Sequence, residues 1–168
     1  MNNNDILRRL RYTYRLKDEQ VLELFNWGGI EANLGQLEQW LKKEEEPGYV
    51  PLYDINLSAF LNGFIIHLRG KKEGEPPKPE KSLNNNLILR KLKIALNLKD
   101  EDILEILLLA DFRFSKSELA ALFRNPSHEK FRVCKDQLLR NFLMGLQIKQ
   151  TGKKPGATTN NPTSQNLK

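Results

Sequence analysis

The side chains best suited to chemistry come in two matching sets. "NNNDILRRLR" (2–11) puts three asparagines ahead of Arg8, Arg9 and Arg11, and "NNNLILRKLK" (84–93) repeats the pattern with Arg90, Lys91 and Lys93. Arg8 and Arg90 each fall four residues past the last asparagine, and residues 8, 11 and 15 share one face of a helix. Amide donors beside a guanidinium suit an anion, because the Arg fork grips a carboxylate or phosphate through two parallel hydrogen bonds. The anion-binding candidates are therefore Asn4, Arg8, Arg11, Asn86, Arg90, Lys91 and Lys93. The same residues also have structural uses. One asparagine of each triplet, Asn4 and Asn86 or a predecessor, is expected to cap the first helix, which leaves two to bond the partner repeat or a ligand. Arg8 and Arg90 can equally pair with Glu23 and Glu105 on an antiparallel second helix.

Other chemistry finds little material. Cys134 is the single cysteine, and the two histidines, His67 and His128, are far apart. Zinc sites need clustered Cys or His at short spacing, so no metal is expected. "RGKK" (69–72) and "TGKKPG" (151–156) resemble pieces of a phosphate loop but lack its GxxxxGK[ST] spacing. GxSxG, HExxH and GxGxxG are absent, and no RNA- or DNA-binding signature appears. The expectation is a protein without a cofactor that is not an enzyme.

The elements that position the candidates follow from a duplication. A shift of 82 residues aligns 2–67 with 84–149 without a gap. "LKDE" (16–19) returns as "LKDE" (98–101), "VLELF" (21–25) as "ILEIL" (103–107), and Phe60, Leu61 and Gly63 as Phe142, Leu143 and Gly145. Each copy reads as four helices. Ile6, Leu7, Leu10 and Tyr14 form one face of a 3.6-residue period, as do Ile88, Leu89, Leu92 and Leu96. Asp18 and Asp100 are expected to cap the second helix. "SKSE" (115–118) reads as a capping box for the third, with "NLGQ" (33–36) as its weaker counterpart. The fourth starts near Asp54 and Asp136. Gly63 and Gly145 lie inside it, where glycine costs about 1 kcal/mol relative to Ala, so both imply close helix–helix approach. Trp27, Trp40 and Tyr49 align with Leu109, Leu122 and Phe131 of the other copy and read as core. "NWGG" (26–29) reads as a helix stop.

The predicted fold is all-α: two pseudo-symmetric four-helix repeats packed together, at 1–68 and 84–150. A Pro- and Gly-rich linker (69–83), extended and solvated, joins them, and a disordered basic tail follows (151–168). A repeat of this size is marginal alone, since a domain of about 60 residues buries only about 60% of its unfolded surface. Each copy is therefore expected to pack on its twin or on a second chain.

Charge is uneven. Residues 1–75 hold ten basic and twelve acidic side chains, whereas 76–168 hold seventeen and nine, so the formal net charge of +6 belongs to the second half. No run approaches the roughly 18 apolar residues of a membrane span, and "MNNNDILRR" has no secretory-signal pattern. A cytoplasmic protein with no membrane partner is expected.

The duplicated "NNNxILRxLR", with "LKDEDILEIL", "LSAFLNGFI" and "FRVCKDQLLRNFL", resembles the uncharacterised bacterial YehS-like family, built from two copies of a domain of unknown function. The resemblance covers roughly residues 1–150. It implies a bacterial cytosolic origin and a two-copy layout, and brings no activity, cofactor or catalytic residue. The expected function is a non-catalytic binding or regulatory module that contacts nucleic acid or another polyanion through its basic helix-1 faces. The alternatives are a protein–protein adaptor or homodimer, and a small enzyme with a site between the repeats.

Overall fold

The computed structural model describes residues 1–154. Its elements are α1 (Asn3–Thr13), α2 (Asp18–Trp27), α3 (Leu34–Trp40) and α4 (Asp54–Arg69), then α5 (Asn85–Ala95), α6 (Asp100–Leu109), α7 (Lys116–Leu122) and α8 (Asp136–Thr151). The first residues of α1 and α5, α2 and α6, α3 and α7, and α4 and α8 all differ by 82, the duplication shift. The predicted tail is helical at its first residue, Thr151, and residues 155–168 lie outside the described residues.

Helix starts follow from side chains that satisfy free backbone N–H groups. Asn33 with Gln36 and Ser115 with Glu118 form the expected reciprocal capping boxes. An asparagine of each triplet caps the first helix as expected, the predecessor rather than Asn4 or Asn86: Asn2 and Asn84 accept from the N–H of Asp5 and Leu87. The caps of the second helices sit one residue earlier than expected. Lys17 and Lys99 hold the cap position of the second helices, while Asp18 and Asp100 are the first helical residues. There the third helical residue reaches back, with Gln20 and Asp102 accepting from the Lys17 and Lys99 N–H. A carboxylate one residue inside the helix still meets the positive end of the dipole, so the sequence signal survives a one-residue shift.

Packing exchanges helices between the copies. α4 lies along α2 and α8 along α6, but α1 also leans on α8 and α5 on α4. Each long helix is thus flanked by its own second helix and by the other copy's first. Leu57, Phe60, Leu61 and Phe64 of α4 join Leu138, Leu139, Phe142 and Leu143 of α8 in one hydrophobic core with Leu7, Leu10, Leu89 and Leu92. A helix buried on nearly all sides is what the apolar runs of α4 and α8 require.

The two matched glycines sit where the expected close approach occurs. A Cβ on Gly63 would lie 1.8 Å from the Leu24 carbonyl oxygen, and one on Gly145 2.0 Å from that of Ile106. The linker is not solvated throughout: residues 70–78, 81 and 82 are exposed, whereas Pro79 and Glu80 are partly buried against the fold.

Candidate anion-binding groove

The asparagine triplets are spent on architecture. After Asn2 caps α1, the Asn3 amide donates to Leu52 O (3.0 Å) and Asp54 Oδ1 (2.7 Å). Asn4 is buried; its amide donates to Trp40 O and Val50 O (both 2.9 Å), and its Oδ1 accepts from Leu52 N (3.0 Å) and the Tyr49 hydroxyl (3.1 Å). The second copy repeats this with Asn85 on Cys134 O and Asp136, and Asn86 on Leu122 O, Arg132 O and Cys134 N. The triplet therefore ties the first helix to the segment entering the fourth helix of its own copy.

The basic candidates are also engaged within the protein. Arg8 bonds Asp5 and Lys42 O (2.9 Å), and Arg90 donates to Phe123 O (2.8 Å); these are carbonyls at the C-terminal ends of α3 and α7, where positive charge is favoured. Arg11 pairs with Asp18 (3.0 Å) and Lys93 with Asp100 (2.7 Å), so the retained ion pair joins the first helix to the start of the second and leaves Glu23 and Glu105 out. Lys93 also sits 4.4 Å from the centre of the Phe123 ring.

Lys91 is the instructive one. Its ammonium is buried, donating to Asn62 Oδ1 of α4 (2.6 Å) and pairing with Glu80 of the linker (3.0 Å). The Ser58 hydroxyl donates to the same carboxylate and accepts from the Glu80 N–H (2.9 Å). Burial pushes the Glu80 carboxyl up, but the bonds from Ser58 and Lys91 outweigh it and hold it below its ordinary value. An intramolecular carboxylate thus fills the place where α5 crosses α4.

Where α1 crosses α8 there is instead a groove of about 550 Å3. It is lined by six cationic side chains, Arg8, Arg9, Lys43, Arg140, Lys153 and Lys154, against the single carboxylate of Asp5. Asp5 is occupied by Arg8 and by the Asn2 N–H. Arg9 is half-buried, and among the described residues its guanidinium makes no hydrogen bond or ion pair. Burial pulls its pKa below the ordinary value, only partly offset by the Asp5 charge. Gln147, 5% exposed, also lines the groove, and no hydrogen bond from its side-chain amide is made among the described residues. Of the seven sequence candidates only Arg8 reaches this groove.

Elsewhere, a depression of about 490 Å3 between α2 and α3 has Asn33 and Gln36 already committed to their capping box, with Glu31 its one ionisable group. Cys134 is buried, and burial followed by the charge of Asp136 pushes its thiol up to about 12. No group of three His, Cys, Asp or Glu side chains that could hold a metal occurs among the described residues, and no helix there is long and apolar enough to cross a membrane.

A family model described as "Protein of unknown function (DUF1456)" matches residues 3–70 and again residues 85–152, which are the two helical repeats. The chain belongs to the DUF1456 family. Both ends of the two DUF1456 segments are 82 residues apart, the spacing that superposes Asn2 on Asn84. The uncharacterised protein YehS of Escherichia coli K12 is 46% identical over 155 residues, spanning 92% of this chain and 99% of that protein. No solved structure gives a significant match. The family resemblance and the two-copy helical layout read from the sequence are thereby shown. The groove residues Arg9, Arg140, Gln147, Lys153 and Lys154 were not among the sequence candidates. A difference between the DUF1456 copies marks two of them: Ser58 of α4 aligns with Arg140 of α8, and Ile65 with Gln147, whereas Arg9, Lys153 and Lys154 align with Lys91, Lys71 and Lys72 and carry no such signal.

Proposed function

We propose that this DUF1456 protein is a non-catalytic binding module whose ligand is anionic and whose seat is the groove between α1 and α8. The supporting observation is the excess of positive charge there: of six cations Arg8 pairs with Asp5 and Lys154 with Asp111 (3.8 Å), while the half-buried Arg9 makes no hydrogen bond or ion pair among the described residues. The Arg9 guanidinium is partly desolvated and without a hydrogen-bond partner among the described residues, so an incoming anion gains charge-assisted hydrogen bonds there. Arginine and lysine side chains dominate the lining, which suits charge and hydrogen bonding to an anion. The groove draws Arg9 from the first copy and Arg140 from the second, so it exists only when the two repeats are assembled.

Retention on immobilised heparin tests this reading. Wild type is expected to elute at higher salt than the double variant Arg9→Ala, Arg140→Ala, with the two converging as ionic strength rises. Equal elution of the two proteins, at matched thermal stability, refutes it.

A further inference from the structure

The duplication supplies a template for what the groove holds. The shift of 82 that relates the copies carries the α4–α5 crossing onto the α1–α8 crossing: Lys91 corresponds to Arg9, Ser58 to Arg140 and Asn62 to Met144. At the α4–α5 crossing the cation is satisfied three ways, by Asn62 Oδ1, by the Glu80 carboxylate and by the serine that holds that carboxylate in place. The linker brings Glu80 there as part of a segment without regular secondary structure, pinned at Ser58 by its own N–H and again at Leu83, whose N–H donates to Asp54 Oδ2 (2.9 Å).

At the α1–α8 crossing every one of those partners is missing. Met144 cannot accept as Asn62 does, and Arg140 replaces the serine with a second guanidinium. The one carboxylate lining the groove, Asp5, is bonded to Arg8 and the Asn2 N–H and not to Arg9, and residues 155–168 contain no Asp or Glu side chain. The cation itself persists as Arg9, in a form better suited to a bidentate anion than the lysine of its twin. Resting on the anion-binding reading above, we infer that the α1–α8 groove receives a glutamate or aspartate side chain on an extended segment of a partner protein, seated between Arg9 and Arg140 as Glu80 is seated between Lys91 and Ser58. The twin site holds a peptide carboxylate on a Pro-rich segment, which favours an acidic peptide over a nucleic-acid phosphate. Lys153 and Lys154, past the end of α8, extend the positive surface for further acidic residues of such a segment.

Fluorescence anisotropy with the full-length protein separates the outcomes. The probe is a labelled, end-blocked octapeptide with two glutamates flanked by prolines; its glutamine counterpart and a labelled oligonucleotide of equal charge are the comparisons. The glutamate peptide is expected to bind, the glutamine peptide to bind at least about tenfold more weakly, and Arg9→Ala or Arg140→Ala each to weaken the glutamate peptide by about tenfold or more. Arg140→Glu, which sets a carboxylate beside Arg9 within the protein, is expected to abolish binding while the thermal midpoint stays at or above that of wild type. Groove-dependent binding of the oligonucleotide with none of the glutamate peptide overturns the peptide inference and leaves the anion-binding reading standing. No groove-dependent binding of either probe overturns both.

Discussion

Replacing Gly63 or Gly145 by alanine tests the helix packing at its tightest points. On an exposed helix the change stabilises by about 1 kcal/mol, because alanine loses less backbone entropy. Here the new methyl would stand 1.8 Å from Leu24 O or 2.0 Å from Ile106 O, where ordinary contact begins at 3.4 Å. Helices α2 and α4, or α6 and α8, must therefore separate by about 1.5 Å, and a gap of even 0.5–1 Å forfeits a quarter to a half of each dispersion contact across the seam. The obstacle is a backbone carbonyl within a helix, which cannot rotate away. Overpacking typically costs about 1–3 kcal/mol and occasionally more. Given this geometry, a net loss of about 2–4 kcal/mol is expected after the propensity gain, from a total of about 5–15. Gly63→Ala is expected to cost more than Gly145→Ala. A second glycine, Gly28, packs against Ala59 O in the same α2–α4 seam, whereas its counterpart in the second copy is Ala110. Urea unfolding reads the effect as a fall in midpoint at unchanged slope. Gly35→Ala, at an exposed position of α3 where the methyl would meet only the tip of Asn33, is the control and is expected to be neutral or stabilising by up to about 1 kcal/mol. A Gly63→Ala or Gly145→Ala protein with a midpoint equal to or above wild type refutes the close-approach reasoning.

Three further outcomes are expected. Asn4→Ala strands two buried carbonyls and the Leu52 N–H, so a loss of about 3 kcal/mol or more should appear in urea unfolding, against about 1 for the cap variant Asn2→Ala; equal losses would contradict the assignment of their roles. Glu80→Gln should destabilise by about 1 kcal/mol, discounted for the 37% exposure of the carboxylate. Because the folded carboxyl lies below its ordinary 4.5, that contribution is complete above about pH 4.5 and fades as pH falls through the lowered folded value, so wild type and Glu80→Gln should converge in acid; a difference that persists undiminished at pH 2–3 would rule out the ion pair as its source. The Cys134 thiol, buried and shifted to about 12, should react with a disulfide reagent at pH 8 no faster than the protein opens; complete labelling of the native protein within seconds would show that it is not buried.

The helices were legible because their determinants are local. Ser115–Glu118 and Asn33–Gln36 announce helix starts within four residues, and the apolar spacing of Ile6, Leu7 and Leu10 fixes which face is buried. The mid-helix glycines were legible too, since a costly residue kept twice at one register demands a packing reason. What could not be read was the identity of long-range partners. Asn4 finds its partners 36 to 48 residues away, in a segment whose path depends on how α3 and α4 are placed. Glu80 looks like one more charge in a solvated linker until α4 and α5 cross and present Ser58 and Lys91 side by side.

Polar residues common to both copies are engaged in holding the fold. A residue present twice at the same register, such as Asn3 and Asn85 or Asp54 and Asp136, serves whatever both copies must do, and both copies must hold a first helix against the entry of the fourth. Ligand binding needs only one site. In a duplicated fold whose linker fills one of two related crossings, any exchange with solvent is left to the other, and the residues there are released from matching their twins. Ser58 against Arg140, Asn62 against Met144 and Ile65 against Gln147 are such departures; Ser58 and Asn62 meet Glu80 and Lys91 at the α4–α5 crossing, and Arg140 and Gln147 line the groove beside α1. Divergence thus accounts for Arg140 and Gln147 of the proposed groove, while Arg9, Lys153 and Lys154 keep the charge of Lys91, Lys71 and Lys72. The exchange of helices between the copies gives such departures room, because it builds two separate crossings of a first helix on the opposite copy's fourth.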